Sequence, residues 1–433
     1  MDSTAKDTQL AKTLTVGRAV SLALGIVVGA GLLVLPGLAY SKVGNSSIYA
    51  WVIDALMIIP LLVIFASLGS RYPNAGGVAG FVRLAFGPVI GAMTELMLMS
   101  AFFLGIPGIA LTGAGYLAFL FHSSGWASSL FAIMLLVIAG ILNYLGTQLS
   151  AIAQQVLSYS LVFILAAVAV IALTFDPVRD HGVASVATWK ASIPALGMVF
   201  FAYTGWEMLS FMGEEFRNPK RDFPIAIVIS YVLIVLIYLA VALAVQWTLQ
   251  PYNPQTTQAP IAAVLAKVFG NKSADVVAIM GVLIILANLN GATWAASRLL
   301  FSSAREGFLP RFLASVDLNL QIPRRSVVTC ILVFMAVVVM HQVGWISQHM
   351  MFALAGQNFF LIYVLSVLVY IRLTRRPLNT LFAFGVLVLC IIFITSFGRG
   401  LLYPLTVSLL GLVLGAIHKR NTMKNQSSSE PNR

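Results

Sequence analysis

Of the 14 acidic residues in the chain, Asp54, Glu95 and Glu207 are the ones that fall well inside long apolar runs. A carboxyl in such a setting costs several kcal/mol unless it is protonated, paired or hydrated, so each is a candidate for chemistry. Glu207 stands out because it directly follows Phe201-Ala202-Tyr203-Thr204-Gly205-Trp206, a segment that reads as an interruption in a helix. Two roles stay open for it, proton exchange and capping of that interruption. Asp54 and Glu95 lie nearer the ends of their runs, where water is closer, and read as structural. Arg298 also sits inside an apolar run and needs a partner. With Glu214, Glu215, Arg217, Lys220, Arg221 and Arg305 it could form an ion-pair network; the plainer reading of those cations is that they set topology. No clustered His, Asp, Ser or Cys suggests catalysis, and no zinc, phosphate-loop or triad signature is present, so the chain is not expected to be an enzyme.

The elements that must position these residues are membrane helices. The chain is 60% hydrophobic and 9% charged, with a mean hydropathy of +0.95, far too apolar to clothe a water-soluble globule. About 20 apolar residues cross a bilayer as a helix, and the runs are continuous rather than alternating, which excludes a β-barrel. Twelve spans are expected, near 14–40, 47–69, 88–121, 127–147, 151–174, 191–214, 223–248, 274–304, 326–342, 348–371, 379–396 and 400–418. Residues 71–87 read as a loop with a surface helix, and the tail 419–433 as disordered. Cys330 and Cys390 fall in apolar runs, which points to no disulfide framework or metal site.

The net charge of +12 forms no stripe that would suit nucleic acid; the cations sit in short clusters between spans. Placing residues 1–13 inside puts Arg71, Arg83, Arg217, Lys220, Arg221, Arg305, Arg311, Arg324, Arg325, Arg372, Arg375 and Arg376 in inner loops. The outer loops then hold only Lys42, Arg179, Lys190, Lys267, Lys272 and Arg399. The positive-inside rule therefore predicts that both termini are cytoplasmic.

The first span, LALGIVVGAGLLVLPGLAY, carries Gly29, Ala30 and Gly31 near mid-membrane. A packing face of small residues would explain them, and so would an unwound segment facing a polar cavity. The second candidate break, in span six, favours the unwound segment. Breaks in spans one and six are what two inverted five-helix repeats, 14–174 and 191–371, would produce, with 379–418 as two accessory helices. Paired interruptions of this kind mark the site of secondary transporters. Each break offers free amides at a helix N-terminus and free carbonyls at a C-terminus, which suits a carboxylate and an ammonium group. A zwitterionic amino acid is the simplest ligand with both.

Four motifs carry a family resemblance: GIVVGAGLLVLPG (25–37), RYPNAGGVAGFVRLAFG (71–87), FAYTGWEMLSFMGEEFRNPKRDFPIA (201–226) and ASRLLFSSAREGFLP (296–310). In their order they resemble the amino acid–polyamine–organocation (APC) transporters, whose LeuT-type fold has ten core helices plus two. Within that superfamily the chain is similar to the bacterial YjeH-type exporters of methionine and branched-chain amino acids. The resemblance implies that amides of Gly29, Ala30 and Gly31 bind a substrate carboxylate. It implies that carbonyls of Val27, Val28, Phe201 and Ala202 hold the amino group. Phe201 falls where the family places an aromatic gate, Tyr203 lies in the break, and Gly205 and Trp206 would border the side-chain pocket. Ala30 departs from the serine many members have, which removes one hydroxyl.

Some proton-coupled relatives carry a lysine on helix five; here that helix offers Gln154, Gln155, Ser158, Tyr159 and Ser160 instead. Asn288, Asn290 and Thr293 could ligate sodium, although interhelical hydrogen bonds are the commoner use of such residues. Histidines 122, 181, 341, 349 and 418 line no shared path. The expectation is a secondary carrier of neutral amino acids working by alternating access in the bacterial inner membrane, as monomer or homodimer. The proton gradient, rather than sodium, is the expected drive, with Glu207 as coupling group and Glu214, Glu215 and Arg298 as inner gate. The alternative is an uptake permease or exchanger for other amino acids or amines. A channel, a pump with a nucleotide site and a sensor fit the pattern less well.

Overall fold

A computed structural model of the chain describes residues 10–121, 123, 125–175, 186–250, 260–269, 274–317, 319–374, 377–395 and 401–429. Among these, nine helical stretches are long and apolar enough to cross a membrane, and shorter apolar helices cover Val16–Val27, Gly77–Phe86 and Asn379–Ile391. The chain is a multi-pass membrane protein. Breaks divide the first and sixth spans into pieces, and the eleventh run appears only as the short Asn379–Ile391 stretch, which is why nine continuous stretches stand against the twelve runs of sequence.

The first span is α1 (Val16–Val27) and α2 (Ala30–Val43). Val28 leaves the helix with ψ 82°, and Gly29 is extended at φ −117°, ψ −151°. Then come α3 (Ser47–Arg71), α4 (Gly77–Phe86), α5 (Pro88–Leu120), α6 (Trp126–Tyr144) and α7 (Thr147–Phe175). The sixth span is α8 (Ile193–Ala202) and the single turn α9 (Glu207–Ser210). Gly205 between them has φ +111°, a left-handed value that glycine takes without a Cβ clash. After α9 the chain turns through a short 3-10 segment, Gly213–Glu215, so regular α-helix ends sooner than the expected span to 214. The remainder is α10 (Pro219–Thr248), α11 (Pro260–Phe269), α12 (Ala274–Arg305), α13 (Arg324–Gln342), α14 (Gln348–Thr374), α15 (Pro377–Thr395) and α16 (Leu402–Ser429).

Three elements differ from the sequence reading. Helix α4 does not lie on the surface: Val78, Ala79, Phe81 and Val82 are fully buried, and Arg372 Nε donates to the Ala85 carbonyl at 2.8 Å. Helix α11 stands where only an outer loop was expected. The last helix runs on through Ser429 rather than ending near 418, because no proline or glycine interrupts it before Pro431.

Helix α5 is the central post. Close approach to it depends on small residues, as expected where lipid supplies no hydrophobic drive for helix association. A Cβ at Gly411 of α16 would come 2.6 Å from Met93 Cα, and one at Gly415 would come 2.9 Å from the Val89 carbonyl oxygen. Large apolar side chains such as Phe163 and Leu381 are more than 70% exposed, which marks the lipid-facing surface. At the N-terminal face, Leu14 pairs with the loop after α9: its amide donates to Glu215 O at 2.9 Å, and its carbonyl accepts from Arg217 N at 3.1 Å.

Candidate functional site

The two breaks meet at one hydroxyl. Tyr238 of α10 donates to the Val27 carbonyl and to the Ala202 carbonyl, each at 2.9 Å, so a single tyrosine ties the end of α1 to the end of α8. Aromatic rings hold it in place, with Trp51 and Tyr203 at centroid distances of 5.5 and 5.1 Å. The Tyr203 hydroxyl donates to the Trp51 carbonyl at 3.1 Å, which brings α3 into the same cluster.

The backbone groups proposed for substrate differ in availability. Gly29 N donates to Val27 O at 2.9 Å. With Tyr238 this engages both lone pairs of the Val27 carbonyl. Ala30 and Gly31 begin α2, where the first amides of a helix have no carbonyl one turn back. The Ile26 carbonyl accepts from Asn288 Nδ2 at 2.6 Å, while Asn288 Oδ1 is buried without a partner among the described residues.

Beyond the breaks lies a cavity of about 330 Å³. Ile26, Val27, Gly29, Gly31 and Leu35 form one wall, and Ala202, Thr204, Gly205, Glu207 and Met208 another. Phe102, Ile106 and Ile109 of α5 and Phe352 and Phe359 of α14 supply the rest of its apolar lining, with the Phe102 and Phe359 rings 5.8 Å apart, and Asn288 adds an amide. Among the described residues of this lining, Glu207 is the one ionisable group. Its Oε2 accepts from Tyr363 Oη–H at 2.6 Å and from Gly205 N at 3.2 Å, so it caps the break as well as facing the cavity. Val28, Tyr203 and Trp206 lie outside the lining; Trp206 is buried behind it. The Phe201 side chain, read as a gate, falls outside the described side chains, as does that of Ala30.

Below the breaks, toward the N-terminal face, the acids are paired. Glu215 Oε1 accepts from Arg298 Nε at 2.5 Å and from Trp294 Nε1 at 2.8 Å, all fully buried, with the guanidinium 5.2 Å from the Trp294 ring centre. Glu214 takes both terminal nitrogens of Arg305 and also accepts from Ala75 N at 3.0 Å. Arg83 pairs with Glu95, and with Glu306 at 3.3 Å. Arg217, Lys220 and Arg221 join no ion pair among the described residues, which suits a topological role for them.

Between α1, α6, α7 and α12 runs a chain of amides and hydroxyls. Asn290 Nδ2 donates to Gln154 Oε1 at 2.7 Å, Asn143 Nδ2 donates to Asn290 Oδ1 at 3.0 Å, and Ser158 Oγ donates to the Ser21 carbonyl at 2.6 Å. Asn290 is thus used between helices. Asn288 and Thr293 stand five residues apart on α12, about 140° around a helix.

Sequence reasoning missed Tyr238 and Tyr363, which organise the two breaks, and the apolar walls supplied by α5 and α14. The available signal was a tyrosine hydroxyl deep inside an apolar run, which requires a buried acceptor.

The interrupted helices, the cavity at their meeting point and the paired closure below it define a multi-pass membrane carrier. The family model described as amino acid permease matches residues 14–415, and the chain belongs to that family. Among its relatives, an uncharacterized amino acid permease, YecA, of Bacillus subtilis is 27% identical over 93% of this chain and 95% of its own. The L-methionine/branched-chain amino acid exporter YjeH of Escherichia coli is 28% identical over 96% of this chain and 98% of its own. The crystal structure of MhsT in complex with L-phenylalanine superposes with a TM-score of 0.65 at 14% identity, covering 95% of this chain and 98% of that one. The fold is therefore LeuT-type.

Proposed function

We propose that this permease is a secondary carrier of neutral L-amino acids, methionine and the branched-chain residues foremost, that exports them across the bacterial inner membrane in exchange for protons. The observation that carries the reading is the cavity where both breaks meet: zwitterion-binding backbone at one end, apolar walls at the other, and Glu207 as its one ionisable group. A charged side chain would find no counter-charge there apart from Glu207.

The amides of Ala30 and Gly31 take the substrate carboxylate, helped by the positive end of α2. The ammonium group takes the second lone pair of the Ala202 carbonyl, whose residue lines the cavity. Phe102, Ile106, Met208, Phe352 and Phe359 enclose the side chain. Glu207 exchanges the coupled proton, and its bond to Gly205 N transmits that change to the break in the sixth span. The termini are cytoplasmic, and the Glu215–Arg298 and Glu214–Arg305 pairs are the inner gate, closed here. The similarity to YjeH over nearly the whole chain supports the substrate class. The cavity reaches along α5 and α14 away from that closed face, an observation that favours a second reading, uptake or exchange of amino acids from outside.

Proteoliposomes test both. Labelled methionine uptake, driven by an imposed pH gradient of either sign, is competed with a panel of amino acids. Methionine, leucine, isoleucine and valine are expected to compete, and lysine and glutamate not. The pH response is expected to vanish in Glu207→Gln. A carrier competed best by cationic amino acids or amines would overturn the substrate class, and an unchanged pH response in Glu207→Gln would remove Glu207 from coupling.

A further inference from the structure

Asp54 is the second carboxyl buried in the membrane region without a counter-charge, and nothing above gives it a role. It is fully buried on α3, and neither Oδ1 nor Oδ2 has a hydrogen-bond partner among the described residues. A buried polar group left unpaired calls for an explanation, since the large majority of buried side-chain polar atoms find partners.

Among the described residues no cation bonds it, the hydroxyls around it are committed elsewhere, and Trp51 Nε1, three residues before it on α3, is buried without bonding it. Tyr203 in the sixth-span break lies within electrostatic reach of Asp54, and also of Tyr231 and Tyr238 on α10. Each of these hydroxyls has one proton to donate. Tyr203 donates to Trp51 O, Tyr231 donates to Ala55 O at 2.8 Å, and Tyr238 donates to the break carbonyls. On the other elements packed against α3, Lys42 and Lys190 are exposed, and Tyr40 of α2 is buried without donating to Asp54. Tyr363, the partner of Glu207, packs on Phe65, with ring centres 5.7 Å apart. Phe65 is three helical turns along α3 from Asp54, roughly 16 Å, so the two acids do not share one site. An ionised Asp54 would be an uncompensated buried charge; a protonated one is far less costly there.

We propose that Asp54 is a proton-binding site separate from Glu207, occupied in the conformation seen here and emptied when α3 and the Tyr203 segment part during transport. The inference rests on the carrier reading for that motion alone. Release breaks the carboxyl O–H bond and passes the proton to water entering between the helices, leaving a carboxylate that Tyr203 can then reach by giving up Trp51 O. Since Tyr203 packs on Tyr238, which bridges both breaks, the charge at Asp54 is mechanically tied to the substrate site. A lone carboxylate suits a proton rather than a hard metal cation, which wants six or more oxygens, and the described residues hold no group of three His, Cys, Asp or Glu.

The test uses the full-length protein in lipid nanodiscs, with isotope-labelled aspartate and infrared spectroscopy at neutral pH. A protonated-acid carbonyl band that shifts with the label, disappears in Asp54→Asn and persists in Glu207→Gln is expected. Absence of an Asp54-dependent protonated band would overturn the proposal, and this holds whether or not the variant folds, because the labelled wild type alone shows whether any aspartic acid is protonated. In proteoliposomes, Asp54→Asn is expected to lose the pH-gradient response and Asp54→Glu to regain it, with sodium replaced by choline making no difference. A pH response equal to wild type in Asp54→Asn, or one that follows sodium, would also overturn it. If wild type transports no amino acid at all, the carrier reading fails while the infrared result still decides the proton site.

Discussion

The acids on the two sides of the helix breaks live in opposite surroundings. Toward the N-terminal face, Glu95, Glu214 and Glu215 each meet an arginine, and Glu215 and Arg298 do so fully buried. At the breaks and beyond, Asp54 and Glu207 meet tyrosines and backbone, with no cation in reach. The contrast separates two kinds of work. On the proposed reading, the fixed ion pairs hold one face shut and are exchanged for solvent when it opens. On the same reading, the acids without a fixed counter-charge change state by gaining or losing a proton, which links the proton to movement.

The sharpest way to break the contrast is to remove the buried cation. Arg298→Ala leaves Glu215 and Trp294 Nε1 facing each other without the charge between them, and stability is expected to fall by about 3–5 kcal/mol. The midpoint of denaturant-induced unfolding in detergent checks this, with Arg298→Lys recovering only part because the fork that reaches Glu215 and Ser297 is lost. Thiol labelling of a cysteine placed at Ala75 should rise in the alanine variant as the face opens.

A smaller effect is expected from Gly25→Ala. The new Cβ would lie 1.7 Å from Gln154 Nε2, so the amide chain between α1 and α7 must be displaced, at about 1–3 kcal/mol. Thermal unfolding by intrinsic fluorescence reads it. Tyr238→Phe deletes the hydroxyl shared by the two break carbonyls, with a loss of about 1–3 kcal/mol for the acceptors left bare. Its signature is a raised KM for exchange, as the breaks lose alignment. The smallest effect is expected at Glu214→Gln, about 0.2–1 kcal/mol, since that pair is over a fifth exposed on each side. If Glu214→Gln proved as costly as Arg298→Ala, the division between buried and half-exposed pairs would be wrong.

Much of this arrangement was legible from residues alone. Both breaks, at Val28–Gly29 and at Tyr203–Trp206, follow from glycine placed mid-run, and the lengths of the apolar runs place the spans to within a few residues, the end of the last helix excepted. Arg298 inside a span demanded an acid, and Glu215 is that acid. What escaped are contacts made by single side chains across the fold. Tyr238 and Tyr363 stand 36 and 156 residues from the break groups they bond, and no local period reports such a pairing. The strand-like contact of Leu14 with the loop after α9 and the burial of α4 were hidden for the same reason. Asp54 was read as hydrated because it lies near the end of its run. The packing of Tyr203, Tyr238 and Trp51 around it leaves Asp54 fully buried, which a linear reading does not show.

The most direct test of the central claim, that the cavity between the two breaks is the amino-acid site, is counterflow in proteoliposomes preloaded with unlabelled methionine. Labelled methionine should accumulate transiently and saturably with wild type. It should fail to do so with Gly31→Leu, whose side chain starts beside Leu35 and Ala202 in the cavity wall. Wild-type exchange that survives intact in a folded Gly31→Leu protein would contradict the account and place the substrate elsewhere.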